Sequence, residues 1–265
     1  ISTNTNTRIR NQSSQDAWHN VIIDSTGYTT SYRYTVLENT GDLTIASGAT
    51  FDNSQPEGYL VHWDGDVLVS GTLDFWTNAS YRPDLVEFGS LLIQAGGTYN
   101  ATSGTTTLNW NNSLYSRIYK NYGTMIHNSG TLVLNPNTDT ILGGGGGTGG
   151  LWNVIATENG GNPTYRVYST PIIENDLTIS GTLTYNNNVG GGKSHTVSGN
   201  VSVVSGASYA NTGASAASQN FGSLSIDDTA TFIASPSGTT TLTAANASNY
   251  VIENVAIATG SNGVI

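Results

Sequence analysis

Cysteine is absent from all 265 residues, which excludes disulfides and thiolate chemistry and is compatible with an oxidising exterior. Charge is scarce too. Only 10% of the chain is Asp, Glu, Lys or Arg, against roughly 25% in ordinary globular domains. Lys and Arg number 8 against 18 Asp and Glu, a net charge of −10. So few cations cannot line a phosphate backbone or an anionic headgroup layer, which argues against nucleic acid and membrane surfaces as partners. No apolar run approaches the roughly 18 residues of a membrane span, so no membrane insertion is expected. There is no Ser-His-Asp order, zinc signature, nucleotide-binding loop or cofactor motif, so no cofactor is expected. The chain begins at Ile1, without methionine or a signal-like apolar stretch, and reads as a processed or excised product.

Serine, threonine, asparagine and 32 glycines take the place of the missing charges. Within them lies a repeat. "DLTIASGATF" (42–51) returns as "DVLVSGTLDF" (66–75) and "SLLIQAGGTY" (90–99), each copy 24 residues after the last. A longer period lies above it: "WHNVIIDSTGYTTSYRYTVLENTGDLTIASGATFDN" (18–53) matches "WNVIATENGGNPTYRVYSTPIIENDLTISGTLTYNN" (152–187), with Asn20 on Asn153, Tyr32 on Tyr165 and Arg33 on Arg166. Fixed periods of this length mark a repeat architecture. The expected organisation is an extended segment at 1–17, a first module at 18–142, a Gly-rich linker or loop at 143–150, and a second module at 151–265 that stops short of its last strand. The polar stretch 1–14 lies outside the repeat and reads as available to add a strand elsewhere.

Each unit reads as strand. In "DLTI", Leu43 and Ile45 share one face and Thr44 the other, the period-2 signature, and Ser47-Gly48 then supplies a turn. No stretch shows helical spacing of apolar residues, so the chain is expected to be all-β. A β-sandwich also has short strands and frequent turns, but it does not require the same inward residues every 24 positions. A parallel β-helix does, because each coil lies about 4.8 Å from the last and equivalent positions form ladders. The expected ladders are Leu43, Val67 and Leu91; Ile45, Val69 and Ile93; Phe51, Phe75 and Tyr99; and Tyr185, Tyr209 and Phe232. The aromatic ladders are expected to be buried. The fold expected is a β-solenoid with coils of about 24 residues in two tandem modules.

These L-T-I-x-S-G-T-L units, over 42–109 and 176–243, resemble those of right-handed parallel β-helix proteins of bacterial surface adhesins and of phage fibres and tailspikes. That resemblance implies a place outside the cell, on the cell surface or on a virion. It also implies a possible glycan chemistry, since tailspikes and polysaccharide lyases cut glycans with carboxylates on one face. Asp42 and Asp66 stack on neighbouring coils about 5 Å apart, a separation that suits a retaining glycosidase. Their column continues as Ser90, Asp176, Asn200 and Ser223, which share turn-forming ability rather than acid–base chemistry. The turn role is the expectation.

"HWDGD" (62–66) joins His62, Trp63, Asp64 and Asp66. It lacks the full pattern of a calcium loop and reads as a plain loop, with Trp63 a possible sugar platform. Trp76 and Trp110 are the other possible glycan contacts. His19, His127 and His195 have no metal-like spacing, so no metal is expected. Arg33 and Arg166 are expected to pair with Glu38 and Glu174. Sequons stand at Asn11, Asn78, Asn100, Asn111, Asn200 and Asn246, of use only if the source glycosylates its exported proteins. The function expected is that of a non-enzymatic extracellular structural protein that self-associates in a fibre, filament, adhesin stalk or phage appendage. The alternatives are a tailspike-like glycan-cleaving enzyme and a module that binds cell-surface glycans.

Overall fold

The computed structural model describes residues 7–9, 19–27, 29–32, 37–52, 60–76, 83–109, 117–143, 146–168, 172–187, 194–211, 218–234, 238–243 and 252–253. No helix occurs among them, and the strands pair in parallel as a β-solenoid with coils of roughly 24 residues. The chain divides into two compact units, residues 1–132 with 145–149 and residues 133–144 with 150–265.

In the first unit the strands Val21–Ile23, Leu43–Ile45, Leu60–Val69, Leu85–Ile93 and Tyr119–Asn121 stack in that order. Their register aligns Val21, Leu43, Val67, Leu91 and Tyr119 in one column and Ile23, Ile45, Val69 and Ile93 in the next. Every one of these side chains is buried. The alternation of "DLTI" therefore resolves as expected, with the apolar face inside. Burying a Val, Leu or Ile contributes about 1.5–3 kcal/mol, and each coil repeats the gain.

A second sheet of this unit runs Thr7–Ile9, Thr29–Tyr32, Thr50–Asp52, Thr72–Asp74, Thr98–Asn100 and Thr124–Ile126. Its first strand corrects the reading of 1–14 as a segment outside the repeat. Thr7, Arg8 and Ile9 pair in parallel with Thr30, Ser31 and Tyr32, so this backbone already serves as an edge rung of its own unit.

One expected ladder is also corrected. Phe51 pairs with Leu73, and Leu73 with Tyr99, so Phe75 is out of register. The cause is corner length. Ile45 reaches Thr50 through Ala46–Ala49, a turn closed by Ala49 N–H to Ala46 O at 3.0 Å. Gly48 takes its left-handed position (φ 78) without a Cβ penalty. Val69 reaches Thr72 through Ser70 and Gly71 alone. The shorter corner advances the strand by two residues, so Leu73 takes the ladder position. Phe75 still points inward, fully buried, with its ring 5.9 Å from that of Tyr99 and 6.2 Å from that of Phe88.

In the second unit Val154, Leu177, Val201 and Leu224 form one buried column and Ala156, Ile179, Val203 and Ile226 the next. The corners 180–183, 204–207 and 227–230 are each four residues long. Tyr185, Tyr209 and Phe232 accordingly stay in register, preceded by Tyr165. Their stacked rings lie 6.2, 5.7 and 5.1 Å apart in succession, within the range of favourable offset contact. Part of the glycine run is packed in the first unit. Thr148 bridges Thr124 in parallel, and its carbonyl accepts from Asn121 Nδ2 at 3.1 Å. A Cβ at Gly147 or Gly149 would overlap Asn121 or the backbone of Met125.

Candidate functional site

The carboxylate column is the first candidate, and its hydrogen bonds run from coil to coil. Asn20 Oδ1 accepts the Asp42 N–H at 2.8 Å, and Asp42 Oδ1 accepts the Asp66 N–H at 2.8 Å. Asp66 Oδ1 then accepts from the Ser90 hydroxyl at 2.5 Å. The second unit repeats the device. Asn153 Oδ1 accepts the Asp176 N–H at 3.4 Å, Asp176 Oδ1 the Asn200 N–H at 2.8 Å, and Asn200 Oδ1 the Ser223 hydroxyl at 2.9 Å. Each side chain thus satisfies a donor one coil further on. A local turn role was expected; the role found is between coils. Asn20 and Asn153 head the columns, a part the sequence match alone did not reveal.

Glycine permits this. Gly41, Gly65 and Gly199 stand just before Asp42, Asp66 and Asn200, and a Cβ on any of them would overlap the Asn20, Asp42 or Asp176 side-chain oxygen. Gly89 and Gly222, before Ser90 and Ser223, lie equally close to backbone carbonyls of the preceding coil. The recurring Gly-Asx/Ser step is the sequence signal that identifies the column. The Asp42–Asp66 spacing therefore places two carboxylates on neighbouring coils, with one oxygen of each already accepting a bond, and Asp66 is 8% exposed.

The "HWDGD" stretch is not a loop. It lies inside the strand Leu60–Val69, with a register shift between Trp63 and Asp66. Trp63 is 1% exposed, in register with Phe88 of the next coil, which corrects its reading as a sugar platform. The phase of Val61, Trp63, Val67 and Val69 announces this inward position. His62 and Asp64 face outward, with Nε2 2.9 Å from Oδ1. Trp76 is half-buried, and Trp110 lies outside the described residues.

Arg166 corrects the expected ion pair. Its guanidinium lies 3.4 Å from Asp139 in an exposed pair, rather than on Glu174. Asp139 Oδ1 also accepts the Thr164 N–H at 2.8 Å. Arg33 and the Glu38 side chain fall outside the described residues. The histidines are scattered: His19 Nδ1 lies 3.3 Å from the Thr40 hydroxyl, and His127 Nδ1 accepts the Ser129 N–H at 2.9 Å. His195 is fully buried beside the rings of Tyr185 and Tyr209, with Phe221 edge-on. Burial pushes its imidazole down to about 4, so it is neutral near pH 7. Among the described residues no three His, Asp or Glu cluster as a metal site would require.

Of the sequons, Asn100 and Asn200 are described. Asn100 Nδ2 donates to Asp74 at 2.8 Å and Asn200 Nδ2 to the Ser225 hydroxyl at 3.3 Å, so each acceptor nitrogen is already engaged. Asn11, Asn78, Asn111 and Asn246 lie outside the described residues.

What the outer surface repeats is threonine. Thr29, Thr50, Thr72, Thr98, Thr124 and Thr148 align rung by rung in the first unit. Thr164, Thr184, Ser208 and Thr231 do so in the second. All are at least partly exposed. Comparison with protein-family models, with curated proteins and with solved structures found no match.

Proposed function

We propose that this chain is a non-enzymatic extracellular structural protein, self-associating as a subunit of a fibre, filament, adhesin stalk or phage appendage. The observation that carries this reading is the uniform outer column. A hydroxylated residue, threonine in every rung but that of Ser208, recurs at one register position through each unit, so no coil is singled out as a reaction centre. A hydroxyl-bearing outer column over a regular parallel core suits a structural subunit solvated on its outer face. Coil-to-coil side-chain bonds add to the stiffness, since each coil satisfies donors of the next. A parallel solenoid can grow at the ends of its sheets, where backbone groups can pair with a second copy, which is the route to self-association in this reading.

Electron microscopy of the native assembly tests the proposal. Unbranched rods or virion-attached fibres of constant width are the expected result, and a free monomer at high concentration would overturn it. Glycan cleavage abolished by Asp42→Asn with Asp66→Asn, in a protein that still folds, would put the enzymatic reading in its place. Glycan retention lost on Trp76→Ala would favour a binding module instead.

A further inference from the structure

The turn Thr157–Gly161 in the second unit holds the one Asn–Gly step among the described residues. Asn159 and Gly160 are both exposed, and Gly160 and Gly161 both take left-handed backbone conformations (φ 86 and 87). The Asn159 N–H is anchored to Pro136 O at 3.0 Å. The Gly160 N–H instead donates to the Glu158 carboxylate, with Oε2 2.5 Å from the nitrogen. Nothing lies within 4 Å of where a Gly160 Cβ would be, so no neighbouring coil packs on that side of the turn.

We propose that Asn159 is a site of self-catalysed deamidation, with Glu158 as general base and water as the co-substrate. The Gly160 nitrogen attacks Cγ of Asn159 as its proton passes to the Glu158 carboxylate. The tetrahedral adduct then collapses, and the C–N bond to the side-chain nitrogen breaks. Glu158 returns its proton to that nitrogen, which leaves as ammonia. Water opens the resulting cyclic imide at either carbonyl, giving aspartate or isoaspartate at 159. The sum is one water consumed and one ammonia released, with no change of oxidation state. Holding nucleophile and base on adjacent residues removes the cost of bringing them together.

Two comparable motifs of the first unit show which features matter. At Asn128–Ser129 the following N–H also meets a base, His127 Nδ1 at 2.9 Å. There, however, Asn128 Nδ2 is pinned by Asn100 Oδ1 at 2.8 Å and Ala101 O at 2.7 Å, so its carboxamide cannot turn to be attacked. At Asp64–Gly65 the N–H is spent on Gly41 O at 3.2 Å, and His62 holds the carboxylate at 2.9 Å. Asn159–Gly160 combines a glycine nitrogen aimed at a carboxylate with an exposed carboxamide. The product adds negative charge to a turn that already carries Glu158, and an isoaspartyl link lengthens the backbone where two glycines absorb it.

The test is peptide mapping by mass spectrometry of the full chain, held at neutral pH and sampled over time, folded and in urea. Asn159 should convert faster in the folded protein than in the unfolded one, and more than about tenfold faster than Asn128. Glu158→Gln should slow it by about tenfold or more, the scale of a positioned base, with an unchanged melt. Slower conversion folded than unfolded, or a Glu158→Gln rate equal to that of the unaltered chain, would overturn the proposal. Should Glu158→Gln disturb folding, the folded-against-unfolded comparison still decides.

Discussion

The carboxylate of Asp42 accepts the backbone N–H of Asp66, one coil further on, at 2.8 Å. An acceptor is what this position requires, and charge is secondary, because the second unit places Asn153 and Asn200 in the same column. Asp42→Asn should therefore change stability by no more than about 0.5 kcal/mol. Asp42→Ala leaves the Asp66 N–H without its partner and should cost about 1–3 kcal/mol. Urea denaturation of the two variants side by side checks the contrast; equal midpoints would remove the column's role.

Gly65→Ala probes the same bond from the other side. The added Cβ would overlap the Asp42 carboxylate and the Gly41 carbonyl. Backbone on one side cannot yield cheaply, so a loss of about 1–3 kcal/mol is expected. Gly96→Ala is the comparison. Its Cβ would meet nothing within 4 Å, leaving only the strain of φ 84. Gly65→Ala should melt at the lower temperature.

Val69 is fully buried between Ile45 and Ile93. An unpaired carboxylate there costs several kcal/mol, set against about 5–15 kcal/mol of total stability. Val69→Asp should abolish cooperative unfolding of the first unit, read by circular dichroism during denaturation. A variant that melted like the unaltered chain would contradict the inward ladder.

Tyr165 and Tyr185 stack in one ladder but differ at the hydroxyl. The Tyr165 hydroxyl sits between the carbonyls of Leu134, at 2.8 Å, and Thr157, whereas the buried Tyr185 hydroxyl has no hydrogen-bond partner among the described residues. Tyr165→Phe should cost about 0.5–1.5 kcal/mol, and Tyr185→Phe should be neutral or stabilising. Paired thermal melts decide it.

His195 makes the second unit sensitive to acid. Its imidazole is held down to about 4, from an ordinary value of 6.5, by burial. Above pH 6.5 it is neutral in both folded and unfolded chains and stability is at its full value. As pH falls from 6.5 towards 4 the unfolded chain takes up the proton and the folded one does not. Stability then drops by up to about 3 kcal/mol. Carboxylates titrate lower, so the window from about pH 6.5 to 5 isolates the histidine. Its ring neighbours Tyr185 and Tyr209 stay neutral there, since burial pushes both hydroxyls upward. In His195→Phe the slope of stability with pH should vanish in that window.

The ladders of Leu43, Ile45 and their repeats were legible because strand alternation and a stacked coil are both periodic, and a period shows in one dimension. Trp63 was legible by the same phase, but the turn-like residues around it masked the strand. Phe75 was not. A corner two residues shorter shifts the register, and the 24-residue spacing survives only because the remainder of the coil makes up the difference.

The sequence by itself determined the class of this protein: no disulfide, little charge, parallel strands, and inward residues at fixed intervals. Those properties depend on composition and on neighbours a few positions away. Only the tertiary structure decided what lies across a coil. The sequence pairs Arg166 with a nearby Glu, while the fold brings Asp139 to it from 27 residues before. Asp42 and Asp66 are linked by spacing alone in the sequence, and only the fold shows that one oxygen of each accepts a bond from the next coil. A side chain's partner is set by the three-dimensional path of the backbone, and corner lengths that leave the average period unchanged redirect that path.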